Sequence, residues 1–306
     1  MKRRETFHGM RRRAEASQRP ANAAAGFTPA SRRHRQSAAQ PTPDPESAMR
    51  LLVLLTAIAM PVVAWLSNRG TFGPDNGTMS DRYPTLLVAA GYAFAIWGLI
   101  FLLDLVYAVW QATGERRRDD TMRRIAPWAA AGFALTALWM PLFSMAQFWA
   151  CLLVIFAAMA CLVRCALILS HDHTPRAGQW LWAWTPLSLH AGWLSLAAFL
   201  NLAQVIVAYG LLSTTQQLPW SLALFALAAA LLLVLNQRMR GNVDYALAAL
   251  WALAAVYVKQ SSGTLPGAPV AAWVAVGIAV LLAAQTFVLR RRHPGGLLPN
   301  PARASD

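Results

Sequence analysis

The feature that most constrains this chain is a long apolar run at residues 84–110, which reads PTLLVAAGYAFAIWGLIFLLDLVYAVW. At a rise of about 1.5 Å per residue, a helix of this length crosses a hydrocarbon layer of roughly 30 Å with room to tilt. Pro84 begins the run, where a helix loses nothing from the missing N–H, and Asp104 is its one acidic residue. The run therefore predicts a transmembrane helix.

Apolar segments of similar character recur along the chain, which is 57% hydrophobic and only 13% charged. This composition excludes an ordinary soluble domain. We predict an all-α, polytopic membrane bundle with about eight transmembrane helices, at residues 49–66, 84–110, 127–145, 148–169, 182–211, 219–235, 243–258 and 269–289.

Basic residues are distributed unevenly between the two ends of these helices. With eight spans, Arg69, Arg82 and Lys259 are the only members of the 27 Lys and Arg that fall on one side. Because loops rich in Lys and Arg stay in the cytoplasm, both termini are predicted to be cytoplasmic. Topology thus accounts for the net charge of +14, and we expect no nucleic-acid partner.

The two ends of the chain differ from the apolar segments. Residues 1–48 are rich in Arg, Ala, Pro and Ser, so burial cannot offset the entropy of ordering them, and we expect disorder. Three interpretations stay open: a basic tail touching anionic lipid, an over-extended start before an initiator at Met49, or an organelle transit peptide. Residues 290–306 are expected to form a basic cytoplasmic tail.

Three motifs occur in a specific order: SDRYP with GYAFAIWGLIF within 80–101, LWMPLF at 138–143, and PLSLHAGWLSLAAFLN at 186–201. Together they resemble the tryptophan-rich sensory protein family (TspO/MBR), which includes the mitochondrial translocator protein. The resemblance covers residue 49 to about residue 209 and is to the long bacterial members, which implies a bacterial inner membrane.

The resemblance implies a TspO-like five-helix core at 49–211. The three additional transmembrane helices predicted at 219–289 lie outside the resemblance. The resemblance also implies a tetrapyrrole or a sterol-like molecule as ligand. Ala89 stands where the family tends to have proline, Thr136 where it often has asparagine, and His190 where it often has tyrosine. These departures leave the identity of the ligand open.

Three predicted helices each carry a polar and aromatic face on a 3.6-residue repeat. If the faces converge, they enclose a flat-walled aromatic cavity that suits a planar or polycyclic hydrophobe. The candidate ligand-binding residues are Tyr92, Phe94, Trp97, Phe101, Trp139, Phe143, His190, Trp193 and Asn201.

Individual polar residues in these helices also have structural interpretations. Trp193 and Asn201 could simply hold helices together. Asp104 could pair with Arg164, reach interfacial water, or contact the ligand. His190 could ligate a haem iron or act as a hydrogen-bonded packing residue. No cofactor is indicated apart from porphyrin or haem as the ligand itself.

Other polar features favour structural roles. The His171-Asp172-His173 sequence lacks a third ligand at helical spacing, so it predicts a polar loop and not a metal site. The three cysteines all fall within 148–169, where packing is a better explanation than redox chemistry. The loop at 67–83 is rich in turn-forming residues. Resemblance to the short family members implies a lid over the cavity, and a plain connector is the alternative.

We considered three functions from different classes. A receptor or sensor for a hydrophobic ligand is favoured, with membrane lipid as a second partner, no enzymatic activity, and a homodimer as one open assembly state. A transporter would show broken helices in matching halves of the sequence, and none is visible. A lipid hydrolase would pair Asp104 with Asp244, although the start of a helix explains Asp244 better.

Overall fold

The computed structural model describes residues 45–292, with only the backbone described at 115 and 117. The predictions for 1–44 and 293–306 therefore lie outside the described residues. Within 45–292 the chain is all-helical, without a strand, as predicted. Its α-helices in this range are α1 (Pro45–Asn68), α2 (Asn76–Arg82), α3 (Ile96–Gln111), α4 (Asp120–Ser144), α5 (Phe148–Ser170), α6 (Thr185–Ala208), α7 (Leu218–Arg238), α8 (Val243–Ser261) and α9 (Ala268–Arg292).

The first and last helices of the described range extend beyond the predicted membrane segments. The helix α1 starts at Pro45, so residues 45–48 are helical and not disordered. At the other end, α9 continues through Arg290, Arg291 and Arg292. Basic residues in the last turn complement the carbonyl end of the helix dipole, which explains why α9 extends past the apolar segment.

Seven helical segments among the described residues are long and apolar enough to cross a membrane. The chain is therefore a multi-pass membrane protein. The eighth predicted segment, 243–258, is helical as α8, but α8 is not among the seven. Its ends carry Asp244 and Lys259, which lower the hydropathy of a helix of only 19 residues.

Hydrogen bonds at both ends of α8 nevertheless place it across the full height of the bundle. Asp244 Oδ2 in its first turn accepts from Thr185 Oγ1 at the start of α6, at 3.1 Å. Gln260 Nε2 in its last turn donates to the carbonyl oxygens of Thr85 (3.0 Å) and Val88 (3.1 Å). The helix α8 therefore extends from the start of α6 to the level of residues 85–88.

The two ends of the bundle are distinct in charge. We call the first the basic face: it contains the starts of α4, α6 and α8 and the ends of α5, α7 and α9, with most of the described arginines. The opposite face contains α2 and the ends of α6 and α8.

The predicted single helix at 84–110 is wrong in its first half. Residues 84–90 have no regular structure, Gly91–Ala95 form a 3₁₀ helix, and only α3 is α-helical. The backbone of this first half finds its partners on α8: Ala90 N donates to Ala255 O at 2.9 Å, and Trp251 Nε1 donates to Ala93 O at 3.2 Å. Because a distant helix satisfies these groups, the segment does not need helical hydrogen bonds.

The helix α6 is the centre of the bundle. In the most apolar 18-residue stretch of Trp180–Ala208, 72% of the residues are buried, against 17% in the corresponding stretch of α1. On one side it touches α8 at Gly192, where an added Cβ would lie 2.2 Å from the backbone oxygen of Tyr245. Small residues permit such close approach of helices in membranes. This contact joins the predicted five-helix core to the three helices that follow it.

The loop at 67–83 contains a structured element, α2, and is not a plain connector. Asp75 caps α2 by accepting from Gly77 N (2.9 Å) and Thr78 N (3.0 Å). The hydrogen bond from the Thr78 hydroxyl, together with those from backbone N–H groups, lowers the pKa of Asp75. Gln204 Nε2 on α6 donates to Ser80 Oγ at 2.9 Å, which fixes α2 over the opposite face.

Candidate functional site

Trp97 is the centre of an aromatic cluster formed by α3, α4 and α6. Its ring stacks on Phe101 at 5.3 Å, and its edge contacts are with His190 at 5.7 Å and Trp193 at 5.8 Å. Trp139 of α4 lies at 6.3 Å. Trp97 and Phe101 are four residues apart on one helix and therefore point to the same side. The three polar and aromatic faces meet here.

The cluster extends toward the opposite face through two rings that the sequence analysis did not include. Trp139 stacks on Phe143 at 4.7 Å, Phe143 meets Phe148 edge-on at 5.6 Å, and Phe148 meets Tyr83 at 4.7 Å. Phe148 opens α5, and Tyr83 belongs to the SDRYP motif. The motif was the only sequence signal that could have pointed to Tyr83.

A polar contact between α3, α4 and α6 lies beside these rings. His190 Nδ1 and Asp104 Oδ2 are 2.7 Å apart, with both side chains fully buried. On its other side, His190 Nε2 is 3.3 Å from Thr136 Oγ1, which in turn donates to Gly132 O at 2.9 Å. Both ring nitrogens of His190 are thus occupied, which favours the packing interpretation over ligation of a haem iron.

The pairing of Asp104 with Arg164 suggested by the sequence is wrong. Asp104 faces the centre of the bundle, where His190 is its partner, whereas Arg164 is exposed on α5. Asp244, the second carboxylate of the hydrolase hypothesis, bonds to Thr185 and not to Asp104.

A second interhelical hydrogen bond connects α4 to α6. Trp139 Nε1 donates to Asn201 Oδ1 at 2.7 Å, and both side chains are buried. This bond holds the two helices together, as the structural interpretation of Asn201 expected. It uses only one of the two polar atoms of the Asn201 amide.

Several buried polar atoms of the bundle have no hydrogen-bond partner among the described residues, and four of them belong to the rings of the cluster or to the side chains hydrogen-bonded to those rings. We call these four the open polar atoms: Trp97 Nε1, Trp193 Nε1, Asn201 Nδ2 and Asp104 Oδ1. Each such atom costs about 1–3 kcal/mol in the desolvation that a partner would otherwise offset. Most buried polar groups in proteins are paired, so four in one cluster point to a missing partner. They offer three donors and one acceptor among flat apolar rings.

Comparison with known proteins agrees with these features. The profile of a protein family described as TSPO-like protein matches residues 50–288. The chain belongs to this family. No curated protein and no solved structure matches the chain. Membership in the family, together with the multi-pass helical bundle, fits a membrane sensor or transporter.

The match to TSPO-like proteins extends beyond the 49–209 range of the three motifs. It includes α7, α8 and all but the last turn of α9. The contacts of α8 with α6 and with residues 84–95 give a physical reason, because α8 supports the segment that leads into Trp97.

Two of the nine candidate residues of this TSPO-like protein lie apart from the others. Tyr92 is 47% exposed and packs edge-on against Trp251 of α8 at 5.6 Å, while Phe94 is half-buried. Both belong to the 3₁₀ helix, which turns every 3.0 residues and not every 3.6. The α-helical repeat that placed Phe94 on the face of Trp97 therefore does not hold in this segment. The other seven candidates lie in the cluster or its polar contacts.

Proposed function

We propose that this TSPO-like protein is a membrane receptor or sensor that binds a planar hydrophobic ligand at the Trp97 cluster. The observation that carries the proposal is the set of open polar atoms among stacked rings. These protein atoms are already removed from water. A ligand that hydrogen-bonds to them therefore gains those bonds without a further desolvation cost on the protein side.

The balance of donors and acceptors favours a tetrapyrrole over a sterol-like ligand. Three of the open polar atoms donate and one, Asp104 Oδ1, accepts. A porphyrin combines a large flat ring with carboxylate acceptors and pyrrole N–H donors, so it can pair with both kinds of atom. A sterol brings a single hydroxyl group and would leave most of the open polar atoms unpaired.

Binding at this site requires the rings to separate, because Trp97 already touches Trp139 and Trp193. Trp97 lies at the second position of α3, directly after the 3₁₀ helix at Gly91–Ala95. A short 3₁₀ stretch next to an α-helix is a common place for a hinge. We therefore propose that the ligand selects an opened arrangement of the start of α3, which lowers its apparent affinity.

For the membrane placement, we propose a bacterial inner membrane with the basic face toward the cytoplasm. The excess of arginine at that face supports this orientation through the positive-inside tendency. Both ends of the described range, Pro45 and Arg292, would then be cytoplasmic. A signal would pass to a partner or alter transport.

The test is a titration of detergent-purified protein with protoporphyrin IX, followed by quenching of tryptophan fluorescence. Wild type is expected to saturate with one site. Trp193→Phe keeps a ring but removes one open donor, so affinity should fall about fivefold, the worth of one hydrogen bond of roughly 1 kcal/mol. Trp273→Phe is the matched control, because Trp273 on α9 is 67% exposed. Cholesterol as competitor distinguishes the two ligand classes.

Linear quenching that is identical in all three proteins would mean that porphyrin only partitions into the micelle, and the proposal would fail. Displacement of porphyrin by cholesterol at comparable concentration would replace the tetrapyrrole class with the sterol-like class.

A transporter is the second candidate, and the interrupted segment at 84–95 supports it. Discontinuous helices next to a binding site are typical of secondary transporters. Proteoliposomes that release trapped protoporphyrin IX faster than vesicles containing Trp193→Phe would favour transport over sensing. Equal release by both would leave the receptor as the better account.

A further inference from the structure

A pocket of about 710 Å³ opens at the basic face, away from the aromatic cluster. The pocket lies between the start of α4, the end of α5 and the end of α7. Its volume is within the roughly 300–1,000 Å³ of typical ligand sites. We call it the basic pocket, after the cationic and imidazole side chains that line it: Arg124, Arg164, His171, His173 and Arg238.

The arginines of the basic pocket differ from others on the same face. Arg123 pairs with Glu46 at 2.7 Å, and Arg176 pairs with Asp119 at 2.7 Å. By contrast, the guanidinium groups lining the basic pocket form no ion pair or hydrogen bond with any described residue: Arg124, Arg164 and Arg238.

The one carboxylate lining the pocket, Asp172, forms no ion pair with the three guanidinium groups and offsets only one of their charges. Asp172 Oδ1 accepts from Thr174 N at 3.0 Å, and Asp172 Oδ2 accepts from Gln179 Nε2 at 2.7 Å. Both oxygens are therefore engaged in holding the loop after α5. The pocket keeps a net positive charge.

The position of Arg164 is informative because it lies within an apolar helix. It is six residues before Ser170, the end of α5, which corresponds to about 9 Å along the axis. Charged residues within such helices are unfavourable and are usually retained for a function. A long arginine side chain can extend toward the headgroup level. Arg238, the last residue of α7, reaches the same level from the other side.

We propose that the basic pocket binds a phosphate group, presented by the headgroup of an anionic phospholipid at the basic face. Arginine suits this role because its planar guanidinium pairs with phosphate through two parallel hydrogen bonds. Basic pockets between transmembrane helices bind anionic headgroups in this way. Leu167 and Ile168 also line the pocket and give the apolar part of a lipid a surface that free phosphate would not need.

The test is native mass spectrometry of the detergent-purified full chain with added phosphatidylglycerol or phosphatidylcholine. Wild type is expected to retain phosphatidylglycerol preferentially. Arg164→Gln and Arg238→Gln should each weaken this binding about fivefold. The matched control is Arg118→Gln, which removes the same charge from an exposed site on the same face outside the pocket and should change nothing.

Additional measurements distinguish a lipid headgroup from free phosphate and control for misfolding of the variants. If millimolar inorganic phosphate binds wild type and phosphatidylglycerol does not, the phosphate site stands and its source is soluble. Arg164→Lys keeps the charge and should bind more phosphatidylglycerol than Arg164→Gln. Equal retention of both lipids by wild type with no effect of phosphate, or equal loss in all Gln variants including Arg118→Gln, would overturn the proposal.

Discussion

The two sides of α6 differ in packing and in how many buried polar groups are hydrogen-bonded. Toward α8, Gly192 lets the two backbones touch, and Asn242 Nδ2 donates to Ser188 Oγ at 2.8 Å. Toward α3 and α4, large rings fill the space, and Trp97 Nε1 and Trp193 Nε1 stay open. One helix thus carries a closely packed scaffold side, where the buried Tyr245 hydroxyl also lacks a partner among the described residues, and a ligand side toward α3 and α4, where the four open polar atoms gather. The difference supports our proposal that a ligand binds on the side toward α3 and α4.

The contact between His190 and Asp104 Oδ2 is a formed polar contact on the ligand side, although Asp104 Oδ1 stays open, and its removal is expected to have the largest effect. His190→Ala leaves a buried carboxylate without its donor, which costs about 3–5 kcal/mol of unfolding free energy. Thermal or denaturant unfolding in detergent measures the loss. Asp104→Asn is the control, because its amide oxygen still accepts from the His190 ring and the loss should be smaller. Losses of equal size would contradict this account.

The scaffold side is tested at Gly192. Gly192→Ala places a methyl group against the backbone oxygen of Tyr245, which cannot move without shifting α8, so the expected loss is about 3 kcal/mol. Gly277→Ala on α9 is the matched control, because nothing lies within 4 Å of its added Cβ. The difference in unfolding midpoint between the two variants is the readout. A Gly192→Ala protein as stable as Gly277→Ala would show that α6 and α8 are not in close contact.

Two tryptophans test the comparison further, because the N–H of Trp139 is hydrogen-bonded and the N–H of Trp193 is not. Trp139→Phe removes a made hydrogen bond to Asn201 and should lower the unfolding free energy by about 1 kcal/mol. Trp193→Phe removes an open donor, so the free energy of unfolding should stay unchanged or rise slightly, while the affinity for the ligand falls. Unfolding and protoporphyrin titrations on both proteins measure the two effects. Equal losses of stability would mean that Trp193 Nε1 has a partner after all.

The smallest effect on stability is expected at α2, which lies over the opposite face. Asp75→Ala removes the cap of α2 and should weaken that helix by about 1 kcal/mol. The pKa of Asp75 is lowered in the folded protein, so its contribution is complete above the unfolded pKa of about 3.9 and disappears as the pH falls through the folded value. Limited proteolysis of 67–83 at neutral and acidic pH measures this. Asp75→Ala should abolish the pH dependence, and an unchanged profile would contradict the assignment.

The sequence predicts the membrane bundle and much of the site because helical periodicity is local. A 3.6-residue repeat places Trp97, Phe101 and Asp104 on one side of α3, and the structure agrees. The same repeat does not hold for Phe94, because the backbone before α3 bonds to α8, far along the chain. Local patterns contain no information about that partner.

The depth of side chains was the second thing that periodicity could not provide. A face can be read from spacing, but the pairing of Asp104 with His190, and not with Arg164, depends on how far each helix is shifted along its axis. For the same reason the sequence does not predict the open polar atoms, because an indole N–H lacks a partner only when no acceptor lies at the same depth along the helix axes.

The central claim is that the open polar atoms are ligand contacts, and the indole N–H groups report on it directly. We would record ¹⁵N–¹H spectra of protein labelled at tryptophan, with and without protoporphyrin IX, and assign the signals by single Trp→Phe substitutions. The account predicts large, saturable shifts for Trp97 and Trp193 and a smaller one for Trp139, whose N–H is already bonded to Asn201. Shifts confined to exposed tryptophans such as Trp273, with Trp97 and Trp193 unmoved, would contradict it.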